Sequence, residues 1–390
     1  MNKKRVIVQG CGTAGLAVIR ALGKVGGFEV IAMTHTLSEI GCASKYASEI
    51  VKMPHPGESE KAYIDFLLEN GPKWKGTLIL ETGDYMAVAL SKHKNALSEY
   101  YRLVTPSWKV LGCYIEKDAL YRMADACGVP HPLSITPEST ESLEKIRSEL
   151  LFPCIIKPVN SHEFVKHFGT KMFHAHSFDE LISHYRKAQE AGFKVVVQEV
   201  IPGPESNFER LQAYVNSKGV MAARFFNAKV RQHPPNFGVM RIGKSMKRNN
   251  DVEELTERIL KQGNYKGYCS AEFKRDPRDN KLKLIEINVR MPRSGWLAIK
   301  SGVNMPLIIY KDLVEDVQIE CNAYNESLYW IECHTDWMNI LKNRSKEPFS
   351  IRDYVSPYVS SNKTFAVWDH RDIGPFLRQT RNVVNKLKGK

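Results

Sequence analysis

"KLKLIEINVRMPRSGW", residues 281–296, alternates apolar and polar side chains through its middle. Ile285, Ile287 and Val289 take every second position, and Glu286, Asn288 and Arg290 fill the places between. Successive side chains of a strand point to opposite faces, so a carboxylate, a carboxamide and a guanidinium would stand in one row. The segment before it, "YCSAEFKRDPRDN" (268–280), reads as the partner strand of a hairpin that turns over Pro277–Asn280. That turn sets Glu272 opposite or diagonal to Glu286, within side-chain reach. Oxygen donors converging from adjacent strands suit magnesium, and Glu272, Glu286 and the amide oxygen of Asn288 could share it. Arg290 would then hold an anion beside the metal. A hairpin whose polar face meets water explains the same alternation.

The surrounding chain supplies the context. It has 390 residues, too many for one ordinary core, and its composition is globular, with 43% hydrophobic and 25% charged residues. "RVIVQ" (5–9), the turn "GCGTAG", an apolar-periodic helix and "FEVIAMTH" (28–35) form a β-α-β start, and "TLILETGD" (77–84) is a later strand ending on Asp84. This alternation predicts a parallel sheet with helices on its faces. "VTPSW", around Pro106, marks a boundary. "IEKDALYRMADACGVPHP" is a helix stopped by Gly128 and Pro130. "FPCIIKPV" is a buried strand ending in Lys157, and "FDELISHYRKAQEAGF" is an amphipathic helix. "VVVQEVIPGPE" (195–205) runs from a strand into a rigid turn, and a hairpin is expected about Ser217–Gly219.

Gly10, Gly12 and Gly15 fit GxGxxG between a strand and a helix, the context of a dinucleotide-binding turn. The acidic residue that would hold the ribose is missing: the second strand ends on Thr34 and His35. A glycine turn that packs a helix on a sheet accounts for the motif without NAD, and an NAD-dependent oxidoreductase is a weakened alternative.

Net charge is +13. From Arg210 to Asn250 there is no acidic residue, while Arg224, Lys229, Arg231, Arg241, Lys244, Lys247 and Arg248 all occur. The run after Asp372 is also purely basic. Such stretches favour phosphates, nucleic acid or an anionic surface. Few aromatic residues interleave the first run, which argues against a specific nucleic-acid site. The eight cysteines lack any CxxC spacing and read as reduced thiols. No apolar run is long enough for a bilayer, and "MNKKRVIVQGCG" passes directly into a strand rather than a leader, so a cytoplasmic location with no membrane partner is expected.

In their order, these segments resemble the ATP-grasp superfamily over roughly residues 75–310. The order is Lys117, then Lys157 ending a strand, "VVVQEVIPGPE", the basic stretch, Glu272, and E-x-N-x-R. The phrases "ETGDYMAVALSKHKNAL", "AKVRQHPPNFG", "EFKRDPRDNKLKLIEIN" and "GVNMPLIIYKDL" are most similar to the predicted carboxylate–amine ligases, the group that includes D-aspartate ligases.

The resemblance implies an α/β fold. A Rossmann-like pre-ATP-grasp domain would occupy 1–112. A two-lobed α+β ATP-grasp domain would follow, with a small subdomain at 113–195 and a large one at 196–310. A C-terminal extension, 311–390, has no readable role. The resemblance also implies a ligase using ATP and magnesium, as two ions, to join a carboxylate and an amine through an acyl phosphate, releasing ADP. Other ATP-grasp chemistry, carboxylation or ligation to a thiol, is the nearer alternative. Lys117 and Lys157 would contact the α- and β-phosphates, and Gln198 would sit near adenine. Backbone groups over Glu199, Val200 and Ile201 would read the adenine edge, and Glu205 would bind ribose. Lys229 and Arg231 would face the γ-phosphate, Glu272, Glu286 and Asn288 would hold magnesium, and Arg290 would hold the reacting carboxylate. Where many relatives carry a glycine-rich flap, this chain has "KPVNSHEFVKHFGTK", so Ser161 and His162 are the candidate phosphate donors there. The expected partners are small-molecule substrates; a homodimer is left open.

Overall fold

The computed structural model describes residues 4–158, 161–233, 238–343 and 349–387. Three sheets carry the fold. The first joins β1 (Lys4–Gln9), β2 (Phe28–Thr34), β3 (Glu49–Lys52), β4 (Thr77–Glu81) and β5 (Tyr101–Leu103) in the order β3-β2-β1-β4-β5, all parallel. The second joins β6 (Ser134–Ile135), β7 (Cys154–Pro158), β8 (Phe173–Ala175) and β9 (Val195–Glu199) in the order β6-β9-β7-β8. The third contains β10 (Phe208–Val215), β11 (Met221–His233), β12 (Val239–Ser245), β13 (Gly267–Arg275), β14 (Leu282–Asn288), β15 (Tyr329–Ile331) and β16 (Lys363–Phe365). Its order is β14-β13-β10-β11-β12-β15-β16. The parallel sheet and the two-lobed α+β remainder are those expected from the sequence.

The glycine turn packs a helix closely on the sheet. Gly10 has φ +79°, and a Cβ on Gly15 would stand 1.9 Å from the Gly10 carbonyl oxygen, so no larger residue fits. The helix Thr13–Gly23 therefore lies close on β1. Its Leu16, Ala17 and Val18 share one core with Trp296, Leu297, Ile308 and Trp330. Each large apolar side chain so buried contributes about 1.5–3 kcal/mol. The N-terminal sheet and the large lobe are thus joined through one apolar cluster.

The segment 311–390 does not stand apart. β15 and β16 extend the large sheet, and Arg20 of the first helix is fully buried against Asp372 at 2.8 Å. Arg20 also donates to the carbonyls of Val367 and Asp372, both at 2.9 Å. "VWDHRDIGP" therefore ties the last helix, Gly374–Leu387, to the glycine-turn domain. Among the described residues no helix is long and apolar enough to cross a membrane. All eight cysteines are free.

Candidate active site

β13 and β14 pair antiparallel, with Glu272 directly opposite Glu286 and Ser270 opposite Asn288. The row expected on β14 exists. Asn288 donates from Nδ2 to Glu286 Oε1 at 2.9 Å, which leaves its amide oxygen for another partner. Glu272 is buried between Arg210 and Lys229, the latter 3.0 Å away. Burial opposes its charge, but these two cations win and hold the carboxyl down to about 2. Arg290 lines the same cleft, of about 200 Å³, and its Nε lies 3.1 Å from Asp84 at the end of the parallel sheet. Glu272, Glu286 and Asn288 offer only hard oxygen donors on two adjacent strands, a set that fits magnesium. Glu286 and Asn288 fit as they stand; Glu272 is already neutralised by its cations.

A second cavity, about 360 Å³, lies between the small and large sheets. Its walls include Ile155, Phe208 and Ile285, with Gln198, Glu199, Val200, Ile201 and Glu205 along one side. Ile285 departs from the sequence expectation. The β13–β14 register shifts between Glu272 and Phe273, which pair with Glu286 and Leu284, so Ile285 is the extra residue of a bulge. The bulge turns Ile285 out of the core row and into this cavity.

Lys157 connects the cavity's Gln198 with the acidic row, where Glu286 acts on its charge. Its Nζ donates to Gln198 Oε1 at 2.5 Å. Gln198 Nε2 donates to the Tyr121 hydroxyl at 2.7 Å, and Tyr121 donates to the Ile285 carbonyl at 3.0 Å. Tyr121 also stacks on His131 at 4.5 Å. Lys117 opens the helix Lys117–Ala126 and lies against Lys157. Burial, then the Lys117 charge, pushes the Lys157 ammonium down to about 7, while Glu286 and Asp118 pull it up. Two lysines facing one another are a poor arrangement unless an anion comes between them.

Several expected residues are occupied elsewhere. The Glu199 carboxylate is committed to Arg278, to Lys283 at 3.5 Å and to the Leu133 N–H at 3.2 Å. The Val200 N–H donates to the Pro153 carbonyl at 2.9 Å, so it is not available to an adenine edge. The Ile201 carbonyl accepts from Lys274 at 2.7 Å. Glu205 opens the short helix Glu205–Asn207 beside the cavity. Ser161 and His162 begin the helix Ser161–Phe168, and their side chains lie outside the described residues.

Arg231 is the clearest correction. Lys229 pairs with Gly243 and Arg231 with Ile242, so the register slips at Val230 and the two cations part. Arg231 is 1% exposed and bonds Asp336 at 3.0 and 2.6 Å, away from the phosphate floor. Arg241 and the Tyr358 hydroxyl reach the same carboxylate at 2.8 and 2.7 Å. Asp336→Ala would strand two buried guanidiniums and is expected to cost about 3–5 kcal/mol, read as a fall in the urea midpoint.

The basic run is also neutralised from afar. Arg224 meets Glu253 at 2.7 Å and Glu257 at 3.2 Å, and Arg248 meets Glu253 at 2.6 Å. These carboxylates offset the charges of Arg224 and Arg248. Sequence reading missed Arg210, Tyr121, Phe208 and Lys274; Arg210 was recoverable, because it sits directly opposite Glu272 on β10.

No protein-family model matches the chain. The N5-carboxyaminoimidazole synthetase of Staphylococcus aureus superposes with a TM-score of 0.66 at 15% identity, covering 88% of this chain and 86% of that one. The biotin carboxylase of Campylobacter jejuni gives 0.63 at 16% identity, covering 84% and 74%. The fold is that of the ATP-grasp proteins. In sequence, the chain is 29% identical over 251 residues to the D-aspartate ligase of Enterococcus faecium (strain Aus0004). That match covers 62% of this chain and 60% of the ligase. It is also 25% identical over 189 residues to the carbamoyl phosphate synthase large chain of Pyrococcus furiosus, covering 47% of this chain and 17% of the synthase.

Proposed function

We propose that this ATP-grasp chain is an ATP- and magnesium-dependent ligase that joins a carboxylate to an amine through an acyl phosphate, releasing ADP and phosphate. The observation that carries the reading is a chain of three neighbouring parts, with Lys157 bonded to Gln198 of the slot and within electrostatic reach of Lys117 and Glu286. An apolar slot with polar edge groups comes first, then the Lys117–Lys157 pair, then the opposed Glu272–Glu286 pair with Asn288. The slot suits a base, the lysines its phosphates, and the oxygen row a hard cation. Similarity to D-aspartate ligase supports carboxylate–amine chemistry and an amino acid as one substrate.

In this reading magnesium, when bound, neutralises phosphate charge. Glu286 and Asn288 hold it. Lys157, fixed by Gln198, and Lys117 hold the phosphates. Lys229, shared with Glu272, turns its charge toward the terminal phosphate. Arg290, oriented by Asp84, presents the carboxylate beside that phosphate. Phosphoryl transfer of this kind needs positioning and charge stabilisation more than acid–base chemistry. Transfer to a protein thiol is disfavoured, because burial pushes Cys154 and Cys269 up to about 12.

The test is ligand-induced thermal stability. Mg-ATP at a hundredfold excess over its Kd should stabilise the protein by about 2.7 kcal/mol, while NAD and NADP should not. A shift with NAD and none with Mg-ATP would return the glycine turn to dinucleotide binding.

A further inference from the structure

Arg231, drawn away from the phosphate floor, holds two helices in place. Its Nε and Nη2 reach Asp336 of the helix Cys333–Asn343, and its Nη1 donates to the Asp353 carbonyl of the helix Ile351–Val359 at 2.7 Å. Arg241 and the Tyr358 hydroxyl close on the same carboxylate. Desolvating two guanidiniums and a carboxylate is costly, so the cluster adds little net stability. What it does is pin both helices to β11 and β12, the strands that carry the two arginines.

The pinned helices turn apolar ridges outward. Ile351, Val355 and Val359 follow one another at i, i+4 and i+8, and Trp337 and Leu341 at i and i+4. Tyr354 and Pro357 on one helix, and Asp336 and Asn339 on the other, are buried beneath them. Trp337 stacks on Tyr358 with ring centroids 6.3 Å apart, which sets the two helices side by side. The five ridge side chains are between 46 and 86% exposed. Together they present roughly 500 Å² of apolar surface, as large as the biggest patch on an ordinary monomer. They lie outside the walls of the apolar slot and of the acidic cleft.

We infer that this face is where two copies of the chain pair about a two-fold axis, their four helices packing ridges into grooves. The inference goes beyond the ligase reading and does not rest on it. Ridges along i±4n rows are the surface that interdigitates when helices pack on helices. A standard interface takes about 800 Å² from each partner, and the ridges supply the greater part of that area. The charge pattern also favours a second copy. Among the described side chains of the helix Ile351–Val359, the charged ones are Arg352 and Asp353, adjacent and opposite in sign. Such a face is self-complementary under a two-fold axis, and it lacks the excess of cations that an anionic lipid surface selects. The net charge of +13 opposes pairing at long range, so pairing should strengthen as salt screens that charge.

Sedimentation velocity of the full chain, beside flotation with vesicles of neutral and of anionic phospholipid, tests the inference. The native chain should sediment as a dimer at about 10 µM, and the dimer should tighten between about 0.1 and 0.5 M salt. Leu341→Asp and Val355→Asp each enter the interface twice by symmetry, and each should weaken pairing by about a hundredfold. Both positions are exposed, so the thermal midpoints of the separated variants should match that of the native monomer. Val25→Asp, at an exposed apolar position beyond the first helix, should pair normally. A monomer at about 100 µM, a dimer indifferent to both aspartates, or an equal loss in Val25→Asp would each overturn the inference. A monomer that floats with vesicles, and loses this in Leu341→Asp and Val355→Asp, would overturn it in favour of a lipid surface.

Discussion

Glu286→Gln is expected to lower ATP-dependent turnover by about a thousandfold with the fold intact. Glutamine keeps the side chain's shape and can still accept from Asn288 Nδ2, but it removes the charge that a cation on the row requires. Metal stabilisation of a transferring phosphoryl group is worth several kcal/mol, and about 4 kcal/mol corresponds to three orders of magnitude in rate. Glu286 is only half-buried, so its neutralisation should leave the thermal midpoint nearly unchanged. Steady-state rates at limiting magnesium, beside a thermal melt, decide the matter. Near-normal turnover would remove Glu286 from the metal site.

Lys157→Met should weaken Mg-ATP binding by about 10- to 100-fold, since hydrogen bonds to charged groups contribute about 1.5–3 kcal/mol. The pH dependence of the native protein provides an independent readout. In the free protein Lys157 is pushed down to about 7, and an anion between it and Lys117 would raise it again. Above about pH 7 the free lysine is neutral and must take up a proton to bind phosphate. Affinity should therefore fall by up to about tenfold per pH unit between pH 7 and 9, with proton uptake on binding. Calorimetry in two buffers of different ionisation enthalpy measures that uptake. Lys157→Met should abolish both slopes; an unchanged slope in the variant would assign the proton to another group.

The parts of the site that were legible in the sequence are those where a strand keeps its period. Glu286 and Asn288 share a face because β14 alternates beyond Ile285, and Glu272 comes opposite Glu286, rather than Ile285, because the bulge shifts the register that the hairpin turn sets. The failures sit where the period breaks. Lys229 and Arg231 differ by two residues and should share a face, but the slip at Val230 sends one to the cleft and the other to Asp336. Ile285 fails for the same reason in the opposite direction: a residue read as core becomes a cavity wall. A bulge leaves little mark on composition, so neither event could be read from the letters.

The charge reading failed differently. The acid-free run from Arg210 to Asn250 looks like a cationic surface only while its partners are out of view. Glu253, Glu257 and Asp336 come from helices later in the chain, and Glu272 from the neighbouring strand. The glycine motif does pack a helix on the sheet, as the spacing suggested, and the reason is steric: Gly15 leaves no room for a side chain over the Gly10 carbonyl. The packing of the last eighty residues was invisible, because Arg378 and Asn382 find partners in a loop more than three hundred residues earlier.

The central claim is that a carboxylate attacks the terminal phosphate of ATP before any amine arrives. Its most direct test is phosphorus NMR of the protein with Mg-ATP, a panel of carboxylic amino acids and hydroxylamine, with mass detection of hydroxamates. The account predicts ADP, inorganic phosphate and a hydroxamate of one acid in the panel; AMP and pyrophosphate as the products would contradict it.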